Sequence, residues 1–394
     1  MKSRPLVSAL VLLTLAVGAG APARAQSISA MAADLQALQA RIASGDKAAY
    51  AAQPERLKAI GAAIAAAKPE IWQSKRETDA AVVYLLSGGQ PRDILLLLQS
   101  GAVPKSEMPF MRGAVAYILG NEADAETLLG GLDPRGLDLR LAGQVAFAQS
   151  VLDAARDEKK AIAQLDLARL LAPGSLVEEA ALRREVLLVG NRRDVGRFVM
   201  LARQYATRFA RSVYADSFLR DLATAVLQAK LIEDLRSFQE FHVFVSSLTP
   251  DIRLGFLLTI ARAEALDGQF AVAGVASGEA LQEAPSDSED EARGRLYEAA
   301  ARILTPEYDN GVAELQSVAP SKLDKGDQAL LAAVRGVAAY LRAPLREPGS
   351  QREQASPETP PQGGNDGTAA TIALAEAALS RTAALAGAGG KGSL

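Results

Sequence analysis

The sequence predicts an all-α fold, a TPR-like α-solenoid of antiparallel helix hairpins. Three observations predict it. First, the 394-residue chain is 49% hydrophobic but only 5% aromatic, and it is rich in Ala and Leu, a composition that favours helices over strands. Second, helix breaks recur at Gly88-Gly89, Gly120-Asn121, Arg156-Asp157-Glu158, Gly190-Asn191, Lys230, Gly268-Gln269 and Pro306. Counted from Gly89, they are spaced by 31, 36, 34, 40, 38 and 38 residues. Third, a proline follows each of these breaks except Gly190-Asn191, at Pro104, Pro134, Pro173, Pro250, Pro285 and Pro320. The unit that ends near Ser212 has none. Two helices per unit at this spacing is the mark of a helical-hairpin array; tetratricopeptide repeats run at about 34 residues. The repeat consensus is met only in part, because Trp72 is the single tryptophan.

The elements follow in order. Residues 1–25 read as an export signal. Lys2 and Arg4 are its basic start, Leu6 to Val17 its apolar core, and Ala23-Arg24-Ala25 its cleavage site. The apolar core is shorter than the roughly 20 residues a membrane span requires. This places the chain in the periplasm. Residues 26–345 form the array, with an N-terminal cap of two helices over Met31–Ser44 and Glu55–Ala67. Inside the array, "LLAPGSLVEEAALRR" shows how one unit gives way to the next. Pro173 cannot continue the helix before it. Ser175 and Glu178 form a capping box, in which the glutamate reaches back to the Ser175 N–H. The helix that follows carries two apolar stripes, Val177/Ala181/Leu188 and Leu182/Val186/Val189, as an inner helix touching neighbours on two sides requires. The next carries one, Val195/Phe198/Ala202/Tyr205/Phe209. Small residues such as Ala142, Ala146 and Ala148 permit close helix approach. Residues 346–367 read as a disordered Pro/Gly-rich linker, 368–386 as a last Ala-rich helix, and 387–394 as a flexible tail.

Composition and motifs argue against chemistry. There is no cysteine and one histidine, so thiol catalysis and multi-histidine metal sites are excluded. His242, among Phe238, Phe241 and Phe244, reads as a core or half-buried imidazole. No glycine-rich phosphate loop follows a strand. Six acids between Glu279 and Glu291 lack calcium-loop spacing and read as a solvated corner. No catalytic residue, cofactor or metal is expected.

Charge gives one candidate site. Loss of residues 1–25 removes three of the 43 basic residues and none of the 46 acids, leaving 40 against 46 and a net charge of −6. That balance disfavours nucleic acid. Between Arg183 and Arg211, however, stand eight arginines with only Glu185 and Asp194 as acids, a local charge of +6. Arg197, Arg208 and Arg211 are placed opposite the Val195/Phe198/Tyr205 stripe. They are the candidate partner-binding residues, because the guanidinium fork suits carboxylates at interfaces.

The segments "MPFMRGAVAYILG" (108–120), "LDLARLLAPGSLVEEAALRRE" (165–185) and "RFVMLARQYATRFARSVYADSF" (197–218) resemble the MotC family of alphaproteobacteria, over roughly residues 75 to 250. The resemblance implies a non-enzymatic periplasmic scaffold. It would bind the periplasmic part of the flagellar stator protein MotB and support flagellar rotation, in motility and chemotaxis. It brings no catalytic or metal motif. Two other readings stand beside it. One is an envelope superhelix protein acting in peptidoglycan turnover, like the lytic transglycosylases, although no Glu-Ser dipeptide is present. The other is a general adaptor for envelope assembly.

Overall fold

The computed structural model describes residues 27–342, and among these every regular element is helical. Residues 27–340 form one compact unit, and Leu341 and Arg342 fall outside it. The expected export signal, linker, last helix and tail lie outside the described residues.

Seventeen α-helices follow in chain order among the described residues. They are α1 (Ile28–Ala43), α2 (Lys47–Ala66), α3 (Lys75–Leu86), α4 (Pro91–Gln99), α5 (Met108–Ile118) and α6 (Glu122–Leu129). Next come α7 (Leu139–Asp153), α8 (Glu158–Leu171), α9 (Leu176–Asn191), α10 (Val195–Arg208), α11 (Ala215–Gln228) and α12 (Leu235–Val245). The last are α13 (Pro250–Leu266), α14 (Phe270–Glu283), α15 (Glu289–Arg302), α16 (Tyr308–Ser317) and α17 (Lys325–Arg342). Every break read from the sequence falls in or beside a turn. Gly88, Gly120 and Gly268 take positive φ, as residues without a Cβ do at helix C-termini. Lys230 does the same at φ 49° without being glycine. The break read at Gly190-Asn191 lies slightly later, because α9 runs on to Asn191 and Arg193 makes the turn at φ 58°.

The N-terminal caps explain why helices restart so sharply. Ser175 Oγ accepts from the N–H groups of Val177 and Glu178, both at 3.2 Å. The Glu178 carboxylate accepts from Gly174 N–H at 2.6 Å. The box therefore closes on Gly174 rather than on Ser175. Asp46, Asn121, Asp157, Asp194 and Ser288 cap their helices in the same manner. One expected start is too late. The second helix begins at Lys47, not Glu55, and carries Pro54 within it. Pro54 has no N–H to donate, so the Tyr50 carbonyl loses its helical partner while Asp46 anchors the start.

Packing joins each helix to near neighbours. The pairs α5–α6, α7–α8, α13–α14 and α15–α16 lie against one another, and α8–α9 and α14–α15 join successive pairs. α7 meets α8 closely at Gly143, where an added Cβ would lie 2.6 Å from Ala172 Cβ. α11 and α12 are arranged differently: α12 packs on α10 and α14, and α11 on α9 and α13. Ring contacts add to this, with Phe198 tilted against Phe241 at 5.5 Å between α10 and α12, and Phe244 edge-on to Phe256 at 5.7 Å between α12 and α13. Near the far end, the buried Asp327 of α17 accepts from Arg262 Nε at 2.9 Å and from Tyr297 O–H at 2.8 Å. One carboxylate thus ties α13, α15 and α17 together.

The first pair reaches past its neighbour. α1 packs on α3 and also on α9, and Gln36 donates to the Arg140 carbonyl at 2.8 Å. Tyr50 and Tyr214 meet edge-on at 6.1 Å. The α1–α2 turn sits directly on the α10–α11 turn. Gly45, at φ +100°, would place a Cβ 2.3 Å from the Arg211 carbonyl oxygen. Gly45→Ala is expected to destabilise the fold by about 2 kcal/mol or more, since left-handed strain and a backbone clash add. Gly101→Ala, at φ +73° with nothing nearby, carries the strain alone and is expected to cost about 1 kcal/mol. Urea unfolding of the two variants measures the difference.

Candidate partner-binding face

The arginine-rich segment spans the end of α9, all of α10 and the turn after it. α8 and α9 surround it with carboxylates, of which Asp166, Glu178 and Glu179 lie outside the counted window. Glu185, fully buried on α9, accepts from Arg169 Nη1 at 2.6 Å and from Arg197 Nη2 at 2.7 Å. Asp166 accepts from Arg197 at 2.7 Å, and Gln204 from Arg169 at 2.7 Å. Burial pushes the Glu185 carboxyl up, and the two guanidinium groups act against that push. Nearly two turns earlier, Glu179 accepts from Tyr205 O–H at 2.9 Å and from Ser212 Oγ at 2.6 Å. Burial raises its pKa too, and it raises the Tyr205 phenol, with help from the Glu179 charge. Glu178, also buried, accepts from Arg208 Nη2 at 2.8 Å.

The three residues singled out by sequence therefore differ in situation. Arg197 is half-buried and bridges Asp166 to Glu185. Arg208 is the last residue of α10 and holds Glu178. Arg211 does not lie on the helix face at all, because α10 ends at Arg208; it is exposed in the following turn. The other arginines vary as well. Arg183 stacks over the Tyr214 ring at 5.0 Å, Arg192 reaches Glu158 at 3.9 Å, and Arg193 pairs with Glu233. Arg203 and Arg211 are exposed and have no ion pair among the described residues.

Beside them is a feature the charge count does not show. α10 and α12 border a groove of about 620 Å³. Val199, Met200 and Val243 give it an apolar floor, and Arg203 and Arg208 stand at its edge. Met200 is 57% exposed and Val243 51%. Both lie off the buried stripes of their helices, and that misplacement was the available sequence signal. His242 corrects its sequence reading, because its side chain is 54% exposed. Phe238, Phe241, Phe244 and Val245 hold the buried face of α12, and position 242 turns outward between them. Its Nε2 lies 3.5 Å from Glu279 Oε1 and its Nδ1 3.3 Å from Ser246 Oγ.

A family model described as chemotaxis protein MotC matches residues 1–389. The chain belongs to the MotC family. A MotC-family relative, the chemotaxis protein MotC of Rhizobium meliloti (strain 1021), is 28% identical over 341 residues, covering 84% of this chain and 76% of the relative. No solved structure matches. MotC is a family of chemotaxis proteins. Among the described residues, no helix is long and apolar enough to cross a membrane.

The buried carboxylates of this MotC-family chain make two outcomes measurable. Arg169→Ala is expected to destabilise by about 3 kcal/mol, because Glu185 keeps only its more exposed partner; chemical denaturation tests this. Glu179 and Glu185 hold protons more tightly when folded than when unfolded. Their contribution to stability is complete below the ordinary glutamate value and is lost as pH rises through their raised values. Acidifying from about pH 7 to about pH 5 is therefore expected to raise Tm through these groups, and Glu179→Gln to flatten the rise, by calorimetry. Asp138, held at about 2 by Arg140, pulls the other way only at lower pH.

Proposed function

We propose that this chain is a non-enzymatic periplasmic scaffold, a TPR-like array, that binds the periplasmic part of the flagellar stator protein MotB and supports flagellar rotation. Membership of a chemotaxis family supports the setting. The α10–α12 groove is the observation that carries the binding face. It offers exposed Met200 and Val243 as an apolar strip, with Arg203 and Arg208 at its edge and Arg211 in the turn beyond α10. An apolar strip with a cationic margin suits an amphipathic partner segment carrying acidic residues.

The residues divide by role. Arg197 serves the fold first, because its loss would leave buried Glu185 with one guanidinium. Arg208 serves both, since it holds Glu178 and borders the groove. Arg203 and Arg211 are the residues whose charge is open to a partner. The α7–α10 pairs, tied by Glu179 and Glu185, would hold the groove in a fixed geometry, so that little is lost to ordering on binding.

The test measures binding of the purified periplasmic part of MotB, with circular dichroism as the control for folding. Arg203→Glu combined with Arg211→Glu is expected to weaken binding about tenfold, and Met200→Glu by a similar factor, with the helical signal retained. Wild-type affinity should also fall as salt is raised. Equal affinity across all three proteins would remove the α10–α12 groove as the docking face.

A further inference from the structure

Sulfur sets the α10–α12 groove apart as much as charge does. The chain has five methionines and no cysteine. Four of the methionines are among the described residues. Met111 is fully buried, and Met31 and Met108 are half-buried against the N-terminal core. Met200 differs, because it is 57% exposed on the floor of the groove. Among the described residues its thioether is the most open to solvent, and no thiol in the chain competes with it for an oxidant.

The same helix places two donors beside that sulfur. Arg203 and Gln204 follow Met200 by three and four residues on α10, so they share its side of the helix, and both line the groove. Arg203 is exposed and has no ion pair among the described residues. Gln204 Oε1 accepts from Arg169 Nη2 at 2.7 Å, while Gln204 Nε2 makes no hydrogen bond among the described residues. A thioether is a weak acceptor, so it does not engage these donors. A sulfoxide oxygen is polar and accepts from them.

We propose that Met200 is a site of reversible oxidation by peroxide, and that its sulfoxide closes the α10–α12 groove to the partner. The closure rests on the docking reading above; the chemistry does not. A sulfur lone pair attacks one oxygen of hydrogen peroxide. The O–O bond breaks and an S–O bond forms. The attacked oxygen passes its proton to the departing hydroxide, which leaves as water. Sulfur loses two electrons and the peroxide gains them. The product sets a dipole into a floor that Val199 and Val243 otherwise keep apolar. Arg203 then donates to the sulfoxide oxygen. Both features of the docking face are lost together: the strip becomes polar, and a guanidinium open to partner carboxylates turns inward onto it. Methionine sulfoxide reductases restore the thioether, one enzyme for each sulfoxide epimer, and the exposure of Met200 gives them access.

Three readouts test this on the full chain. The first follows each methionine by peptide mapping and mass spectrometry during stepwise peroxide treatment. Met200 is expected to be converted at least tenfold faster than Met31, Met108 or Met111. The second reads the Arg203 Nε–H resonance of ¹⁵N-labelled protein. It is expected to shift, and to exchange more slowly with water, once Met200 is oxidised. Met200→Leu, which keeps an apolar side chain that peroxide does not attack, should show neither change. The third is affinity for the purified periplasmic part of MotB, each protein being compared with its own untreated sample. Oxidation is expected to weaken wild-type binding about tenfold, with recovery after reductase treatment, and to change Met200→Leu by less than about twofold. Circular dichroism establishes that every sample is folded. Three results overturn the proposal: equal conversion at Met200 and at Met31 or Met108, an Arg203 resonance indifferent to oxidation, or oxidised protein that binds as tightly as untreated. Untreated protein that fails to bind the MotB part overturns the docking reading and the closure with it, while the first two readouts still decide the modification.

Discussion

A carboxylate taken out of water needs donors placed around it, and this requirement organises the middle of the molecule. Alanine and leucine surfaces attract without direction, and one register of an Ala-rich helix on another is nearly as good as the next. Glu185 is more selective. It sits fully buried, and Arg169 from α8 and Arg197 from α10 must both reach it. Glu179 places the same demand on Tyr205 and Ser212, and Asp327 on Arg262 and Tyr297. Each fixes how far one helix can slide along another. The small apolar contacts then supply most of the attraction within a geometry already chosen.

Those same contacts show why the arginine-rich segment is less of a free cationic face than its composition suggests. Eight arginines against two local acids count as a strong excess. In space, Asp166, Glu158 and Glu233 arrive from other elements, and Glu178 lies just before the counted window. Exposed positive charge is concentrated instead on Arg203 and Arg211, next to apolar side chains that local charge could not point to. An interface needs both, since charge at the margin governs encounter and apolar area at the centre governs retention.

Much of the helical arrangement was legible. Gly120, Gly268, Pro173 and Pro306 end helices for reasons within a few residues of each position, and the Phe198/Ala202/Tyr205 stripe is buried as its spacing indicates. Three kinds of fact were not local. Pro54 reads as a helix boundary, yet capping by Asp46 starts α2 before it and the helix continues. His242 reads as core or half-buried from its aromatic neighbours, although a 100° rotation per residue turns it outward. The burial of Glu178, Glu179 and Glu185 has no local sign beyond the capping role of Glu178, because burial depends on which helices lie on either side. The groove floor at Met200 and Val243 was visible only as two apolar residues off their stripes.

Docking of the first pair adds a mechanical consequence. When a helix pair touches only its immediate neighbours, small rotations at each junction accumulate and the stack flexes at little cost. Here α1 contacts α3 on one side and α9 on the other. Gly45 lies against Arg211, and Tyr50 meets Tyr214. Rotation at any junction between α3 and α10 must then also separate these contacts, so the junctions no longer bend independently. The α10–α12 groove lies just beyond this bracing contact, on a helix held to α9 by Tyr205 and Arg197. A partner pulling on α10 would therefore load the braced region through buried hydrogen bonds rather than through a single flexible turn.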